Sequence, residues 1–285
     1  MLLARTLNSH GVASLPPAAI NEEAWRLEVT LAVPRGARTV RVSPAGDDRA
    51  RVEVLGAEAS PAMRDALMRQ LRHMFRLDED LSSFYAVARE DAALAWAALG
   101  AGRMLRSPTV FEDVVKTICT TNCAWSGTVR MVTALVEELG APAAGTKRRT
   151  FPTPRAMAEA DERFYKDVAR TGYRGAYLRQ LAGDVAGGVL DLEELNDRNL
   201  ADEEVEARLL ALPGVGPYAA AHVMLTSLGR YSRLVLDSWT RPTYARLVGR
   251  KTVADKTIAR RFKPYGDYAG LAFWLLLTRS WVPED

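Results

Sequence analysis

Between Ala201 and Leu228 the apolar residues change spacing, and the change outlines two helices around a tight turn. Ala201 to Ala211 is rich in Ala, Leu and Glu and carries Val205, Leu209 and Leu210 at helical spacing, which predicts one helix. Leu212-Pro213-Gly214-Val215-Gly216 stops it. Tyr218 to Leu228 is apolar on nearly every face and predicts a largely buried second helix, with Pro217 suited to its first turn. Helical patterns also cover Pro61 to Phe75, Ser82 to Ala88, Ala92 to Leu99, Pro108 to Asn122, Trp125 to Leu139, Arg174 to Val185, Trp239 to Val248 and Tyr268 to Trp281.

The first segment differs in kind. Trp25 to Val33 alternates apolar and polar residues as a half-buried strand does, and weaker strands follow at Thr39 to Val42 and Arg51 to Leu55. Pro34-Arg35-Gly36 and Pro44-Ala45-Gly46-Asp47-Asp48 read as the turns of a small antiparallel sheet. The expected fold is therefore α+β and mainly α, with an amino-terminal sheet region over 1–59 and a helical core over 60–285. Ala141 to Pro154 reads as an exposed linker, and its run Lys147-Arg148-Arg149 as a solvated loop rather than a contact to a phosphate backbone.

Composition narrows the class. With 285 residues and 48% hydrophobic content the chain can bury a substantial core. A net charge of +3 means that any site for nucleic acid must come from local clustering of Arg and Lys, not from a global field. No apolar run is long enough to span a bilayer and no secretory signal pattern opens the chain, so the expectation is an intracellular, cytoplasmic monomer with no membrane partner. The two cysteines, Cys119 and Cys123, lie one helical turn apart, where a mutual disulfide is awkward, and they read as buried thiols. No His/Cys spacing or Asp/Glu pair suggests a transition-metal site.

The candidate chemistry sits at the turn between the two helices. Its glycines remove side-chain bulk and leave backbone N–H groups at a positive helix end free for an anion, and a phosphodiester is the natural one. Downstream of a short apolar linker, Asp237-Ser238-Trp239-Thr240 reads as a helix start with Asp237 able to cap it, a role that leaves room for catalysis.

These features resemble the helix-hairpin-helix DNA glycosylases, whose hairpin is followed some twenty residues on by a catalytic Asp. The hairpin over 201–229 and Asp237 carry the likeness, which extends over roughly residues 70 to 285. Ile118-Cys119-Thr120-Thr121-Asn122, Gly172-Tyr173-Arg174 and Pro264-Tyr265-Gly266 with the helix after it match further family segments. The resemblance implies a two-lobed core that grips double-stranded DNA containing a damaged base, with Gly214, Val215, Gly216 and Ala219 at the phosphates. Asn122 would fill the gap left by an extruded base, Tyr173 would wedge the stack, and Arg174 would bond the orphaned partner.

Asp237 is the implied catalytic carboxylate. The lysine nucleophile of bifunctional relatives is replaced by Tyr218, which implies hydrolysis to an abasic site without an efficient lyase step. Tyr218, Trp239, Phe273 and Trp274 are candidate aromatic faces for a cationic alkylated purine, with core packing as the other reading of Phe273 and Trp274. Leu277 takes a position where the oxoguanine branch stacks a Phe, and His222 is a further pocket candidate. Two cysteines cannot ligate the iron–sulfur cluster of some relatives. The carbonyls of Leu210, Leu212 and Val215 are candidates for a monovalent cation (Na+ or K+), and no cofactor is required. Excision of an oxidised or deaminated base, and a non-catalytic DNA-binding module, are the alternative readings.

Overall fold

A computed structural model of the chain describes residues 3–46 and 49–281; Asp47 and Asp48, part of a predicted turn, lie outside them. The amino-terminal sheet has four antiparallel strands in sequence order: β1 (Ala18–Asn21), β2 (Arg26–Val33), β3 (Gly36–Pro44) and β4 (Ala50–Leu55). Strand β1 escapes the sequence pattern because it is only four residues long. Alternation puts Leu27, Val29 and Leu31 of β2 and Val40 and Val42 of β3 on one face. The pairs Leu27–Val42 and Val29–Val40 pack there against Leu67, Leu71 and Met74 of helix α2 (Pro61–Met74) and against Leu7 of a short helix α1 (Leu3–Leu7). Ser60 starts α2, its hydroxyl accepting the Met63 N–H, with Pro61 at the first position. The core beneath the sheet thus crosses the expected boundary at 59/60.

The other helices are α3 (Ser82–Arg89), α4 (Val110–Thr120), α5 (Trp125–Leu139), α6 (Pro154–Glu159), α7 (Arg174–Ala186), α8 (Asp202–Leu210), α9 (Pro217–Val223), α10 (Thr240–Leu247), α11 (Asp255–Phe262) and α12 (Ala269–Thr278). They close two apolar cores. One gathers α4, α5 and α7 to α9; the other gathers α3 and α10 to α12. Helix α9 runs between them and gives Ala219, Ala220 and Val223 to the first core and Ala221 to the second. Burial on both sides is the physical reason for its all-round apolar sequence.

Several boundaries move. Ala92 to Leu99 shortens to a 3-10 turn over Ala95–Leu99, and α4 ends at Thr120, which leaves Asn122 off the helix at a positive φ of 45°. Helix α11 went unread because Ile258 and Phe262 are its only buried residues. The expected linker is not one. Ala144 accepts from the Ala57 N–H and its own N–H donates to Ala37, Thr146 bonds Thr39, and Phe151 is buried in the first helical core. Gly56 and Gly145, both at positive φ, let the two backbones touch; a Cβ on either would lie 2.4–2.6 Å from the other chain segment. Arg148 of the basic run pairs with Glu28 of the sheet at 2.6 Å and Arg149 donates to the Gly140 carbonyl, so two of its three charges are engaged. Among the described residues, no helix is long and apolar enough to cross a membrane.

Candidate active site

The turn between α8 and α9 follows from its residues. The Leu212 carbonyl accepts the Val215 N–H at 3.2 Å, with Pro213 and Gly214 between them and Gly214 at φ 80°, the pattern of a type II turn. A Cβ at Gly214 would stand 2.7 Å from the Tyr177 ring, so glycine is required twice over. Gly216 is extended and faces open space. Its carbonyl accepts the Ala220 N–H at 2.9 Å.

In front of this turn lies a cavity of about 690 Å³. The hairpin contributes Gly214, Gly216, Tyr218, Ala219 and His222; the following segment adds Asp237 and Trp239; Trp274 comes from α12. Asn122 and Tyr173 stand at its edge from two other loops. Asp237 is half-buried and fixed by a reciprocal cap: Oδ1 accepts the N–H groups of Trp239 (2.8 Å) and Thr240 (2.6 Å), while the Asp237 N–H donates to the Thr240 hydroxyl at 2.8 Å. Among the described residues, Oδ2 has no hydrogen-bond partner. The carboxylate is held by one oxygen and presents the other.

The walls are aromatic. Trp239 and Trp274 pack at 5.7 Å between centroids, Tyr218 and His222 at 5.8 Å, and His222 and Trp274 at 6.2 Å. The Trp274 indole N–H is anchored on the Ser9 carbonyl at 2.7 Å, and the Tyr218 hydroxyl shares a 3.1 Å hydrogen bond with Thr120. Burial pushes the Tyr218 phenol up, with the charge of Asp237 adding to it against the Thr120 bond, so the ring stays protonated. Burial, reinforced by His10, pushes His222 down to about 3, and its imidazole is neutral. Its Nδ1 lies 3.4 Å from the hydroxyls of Thr117 and Thr226.

Four predicted site residues are placed elsewhere. Phe273 and Leu277 are buried in the second helical core, Phe273 against Phe262 (5.2 Å) and Tyr244 (5.9 Å), and neither lines the cavity. Helix α12 is apolar all round, and only its Trp274 face meets the cavity. Arg174 is buried, and its guanidinium donates to the Thr121 and Asn122 carbonyls and stacks over Tyr173 at 4.6 Å. It builds the Asn122 turn and has no free fork for an opposing base. Val215 packs into the first helical core and turns its side chain away from the cavity. Asn122 and Tyr173 are exposed side by side, with Asn122 Nδ2 donating to the Tyr173 hydroxyl at 3.3 Å.

Sequence reasoning missed Gly11, Val12, Trp125 and Arg241 on the cavity wall. The Trp125 ring covers Gly11, 3.3 Å from where a Cβ would sit, and Arg241 forms a two-pronged pair with Asp255 at 2.8 and 2.9 Å. Gly11 and Val12 come from a segment with no local signal, brought in by tertiary packing. Cys119 is buried in α4, its thiol pushed up to about 12 by burial, while Cys123 lies beyond the helix end; both are free. Among the described residues, no group of three or more His, Cys, Asp or Glu could hold a metal ion.

A helical hairpin facing a carboxylate across an aromatic cavity, beside a four-stranded sheet, is the architecture of the helix-hairpin-helix (HhH-GPD) DNA glycosylases, and this chain has that fold. The 3-methyladenine DNA-glycosylase of Archaeoglobus fulgidus superposes with a TM-score of 0.74 at 18% identity, over 98% of this chain and 95% of that one. The 8-oxoguanine glycosylase/lyase of Clostridium acetobutylicum, solved with double-stranded DNA containing cytosine opposite 8-oxoG, superposes with a TM-score of 0.74 at 22% identity, over 92% and 87%. In sequence, the chain is 25% identical over 268 residues to YfjP of Bacillus subtilis, a protein with a provisional DNA-3-methyladenine glycosylase name, covering 85% of this chain and 89% of that one. No family model matches the chain.

Proposed function

We propose that the protein is a DNA glycosylase that hydrolyses the bond between a flipped, damaged base and its sugar, with Asp237 as the catalytic carboxylate and an alkylated purine as the base. The observation that carries this reading is the unpartnered Oδ2 of Asp237 on the wall of a cavity lined by Tyr218, Trp239 and Trp274. Cleaving the glycosidic bond leaves positive charge on the sugar. A fixed carboxylate stabilises that charge more in the transition state than in the ground state and can orient the attacking water. The aromatic faces favour an electron-poor, cationic purine, and a neutral His222 adds no charge to repel it.

The duplex is held by the hairpin, where the N–H groups of Gly216 and Ala219 have no backbone partner among the described residues. Asn122 and Tyr173 occupy the opened stack, at an unstacking cost of about a few kcal/mol that is lowest for damaged pairs. A monovalent cation at the hairpin fits its donors: of the Leu210, Leu212 and Val215 carbonyls, only that of Leu212 is engaged by a backbone N–H among the described residues. Among the described residues, none of the six lysines lines the cavity, so release of the base leaves an abasic site without Schiff-base chemistry. The test is a panel of duplexes, each with one defined lesion, assayed for alkali-labile sites with and without borohydride. An alkylpurine duplex is cut only after alkali, Asp237→Asn lowers the rate by at least about 10²-fold, and no covalent adduct forms. Turnover unchanged in Asp237→Asn, or a strong adduct, overturns the assignment.

A further inference from the structure

Arg69, Arg72, Arg76, Arg106 and Arg198 converge with His73 on a second cavity of about 330 Å³, whose only acidic side chains are Asp78 and Glu79. Both carboxylates are taken, Asp78 by Arg72 and Glu79 by Arg76. Arg69, Arg106 and Arg198 have no carboxylate partner among the described residues. The cluster has a structural task as well. Arg76 donates to the carbonyls of Thr226 and Ser227, Arg106 to those of His73 and Ser227, and Arg198 to that of Gly229, which serves the carboxyl-terminal ends of α2 and of the helical segment that begins at α9. Two helix ends supply roughly half a negative charge each. Three unpaired guanidiniums therefore leave a surplus of about two positive charges, the complement of a phosphate dianion.

Geometry adds to the count. Gly229, at φ 64°, has no side chain; a Cβ there would lie 2.5 Å from Arg76 Nη1 and 3.3 Å from Arg198 Nη2, so glycine lets the two guanidiniums pack side by side against the backbone next to the cavity. Burial lowers Arg106 to about 10, and the neighbouring Arg76 charge adds to it. This cavity stands at the far end of the helical segment over residues 217–228, about 18 Å of helix from Gly216 and the hairpin.

We infer that the arginine cavity around Arg69, Arg106 and Arg198 is a binding site for a small phosphate ester or free phosphate, separate from the surface that holds DNA. The chemistry is bidentate guanidinium recognition of a phosphate group within a preformed concave site.

Inorganic phosphate is the probe, titrated calorimetrically into the full chain at constant ionic strength, with chloride as the control. Arg69 and Arg198 are exposed, and Arg69→Gln and Arg198→Gln are compared with the parent after their melting temperatures are matched. Saturable binding to the parent that weakens about tenfold or more in each variant supports the site. Binding equal in all three proteins, or reproduced by chloride, overturns it. A lesion-free duplex that displaces phosphate from the parent, or binds Arg198→Gln with lower affinity and a shallower salt slope, makes the cluster a DNA contact and overturns the small-ligand reading. Neither variant touches Asp237, so the result stands apart from that of the lesion panel.

Discussion

Asp237 has two oxygens in two tasks, and substitution separates them. Asparagine keeps the Oδ1 acceptor that caps Trp239 and Thr240 and removes only the charge; alanine removes both. Asp237→Ala is therefore expected to lose about 1 kcal/mol of stability that Asp237→Asn retains, while both lose base release. Urea unfolding of the two variants beside the parent measures the difference, and equal losses would deny the cap. Arg174 is held differently, by backbone carbonyls. Arg174→Met leaves the Thr121 and Asn122 carbonyls without this charged donor and is expected to cost about 1–3 kcal/mol. Because the guanidinium is committed to backbone, duplex affinity should fall by the same factor whichever base stands opposite the lesion. A change confined to one opposite base, seen in binding to four otherwise identical duplexes, would return Arg174 to base recognition.

At the level of the element, the two hairpin glycines divide fold from function. Gly214→Ala meets both a positive φ and the Tyr177 ring, and a loss of about 1–3 kcal/mol is expected. Gly216→Ala has ordinary extended backbone and open space around it, so its stability should stay within about 0.5 kcal/mol of the parent. Its methyl instead enters the space a phosphate would use, and DNA affinity and its salt slope should both drop. Unchanged affinity and slope in Gly216→Ala would mean that the hairpin does not grip the backbone.

This hairpin was legible because a Pro-Gly turn between two helical patterns is a local signal, and so was the Asp237 cap. Which residues of α12 reach the cavity was not. A helix apolar on every side carries no period from which to choose a face, so Phe273 and Leu277 were indistinguishable from Trp274. The segment over 141–154 was misread for a related reason. Its polar, Gly-rich composition is the same whether its backbone bonds to water or, as here, to the sheet.

Over the whole molecule, the amino-terminal segment closes the back of the cavity, and this links the active site to acid stability. His10 lies 5.8 Å from His222, donates Nε2–H to the Leu105 carbonyl at 2.6 Å and leaves a buried Nδ1 without a partner. Burial lowers His10 to about 4 and His222 to about 3, against an ordinary value of 6.5. The unfolded chain takes up these protons below about pH 6.5 and the folded one does not until near pH 4. Stability contributed by each neutral imidazole is thus complete above pH 6.5 and lost as the pH falls toward 4, by about 1.4 kcal/mol per pH unit per histidine.

The charged surroundings of His10 include Asp113, Lys116 and Arg76. Glu112, on the same helix as Asp113 and Lys116, and Glu193 are themselves raised by burial. Both bind protons more readily when folded and oppose the histidine slope, so the absolute profile mixes signs. The difference between parent and His222→Gln isolates one imidazole: glutamine cannot titrate, and the variant's stability should fall less steeply between pH 6.5 and 4.5 by about 1.4 kcal/mol per unit. Parallel curves from urea unfolding across that range would mean that His222 takes up its proton in the folded protein, and the cavity would then hold a cation where a cationic base is proposed to bind.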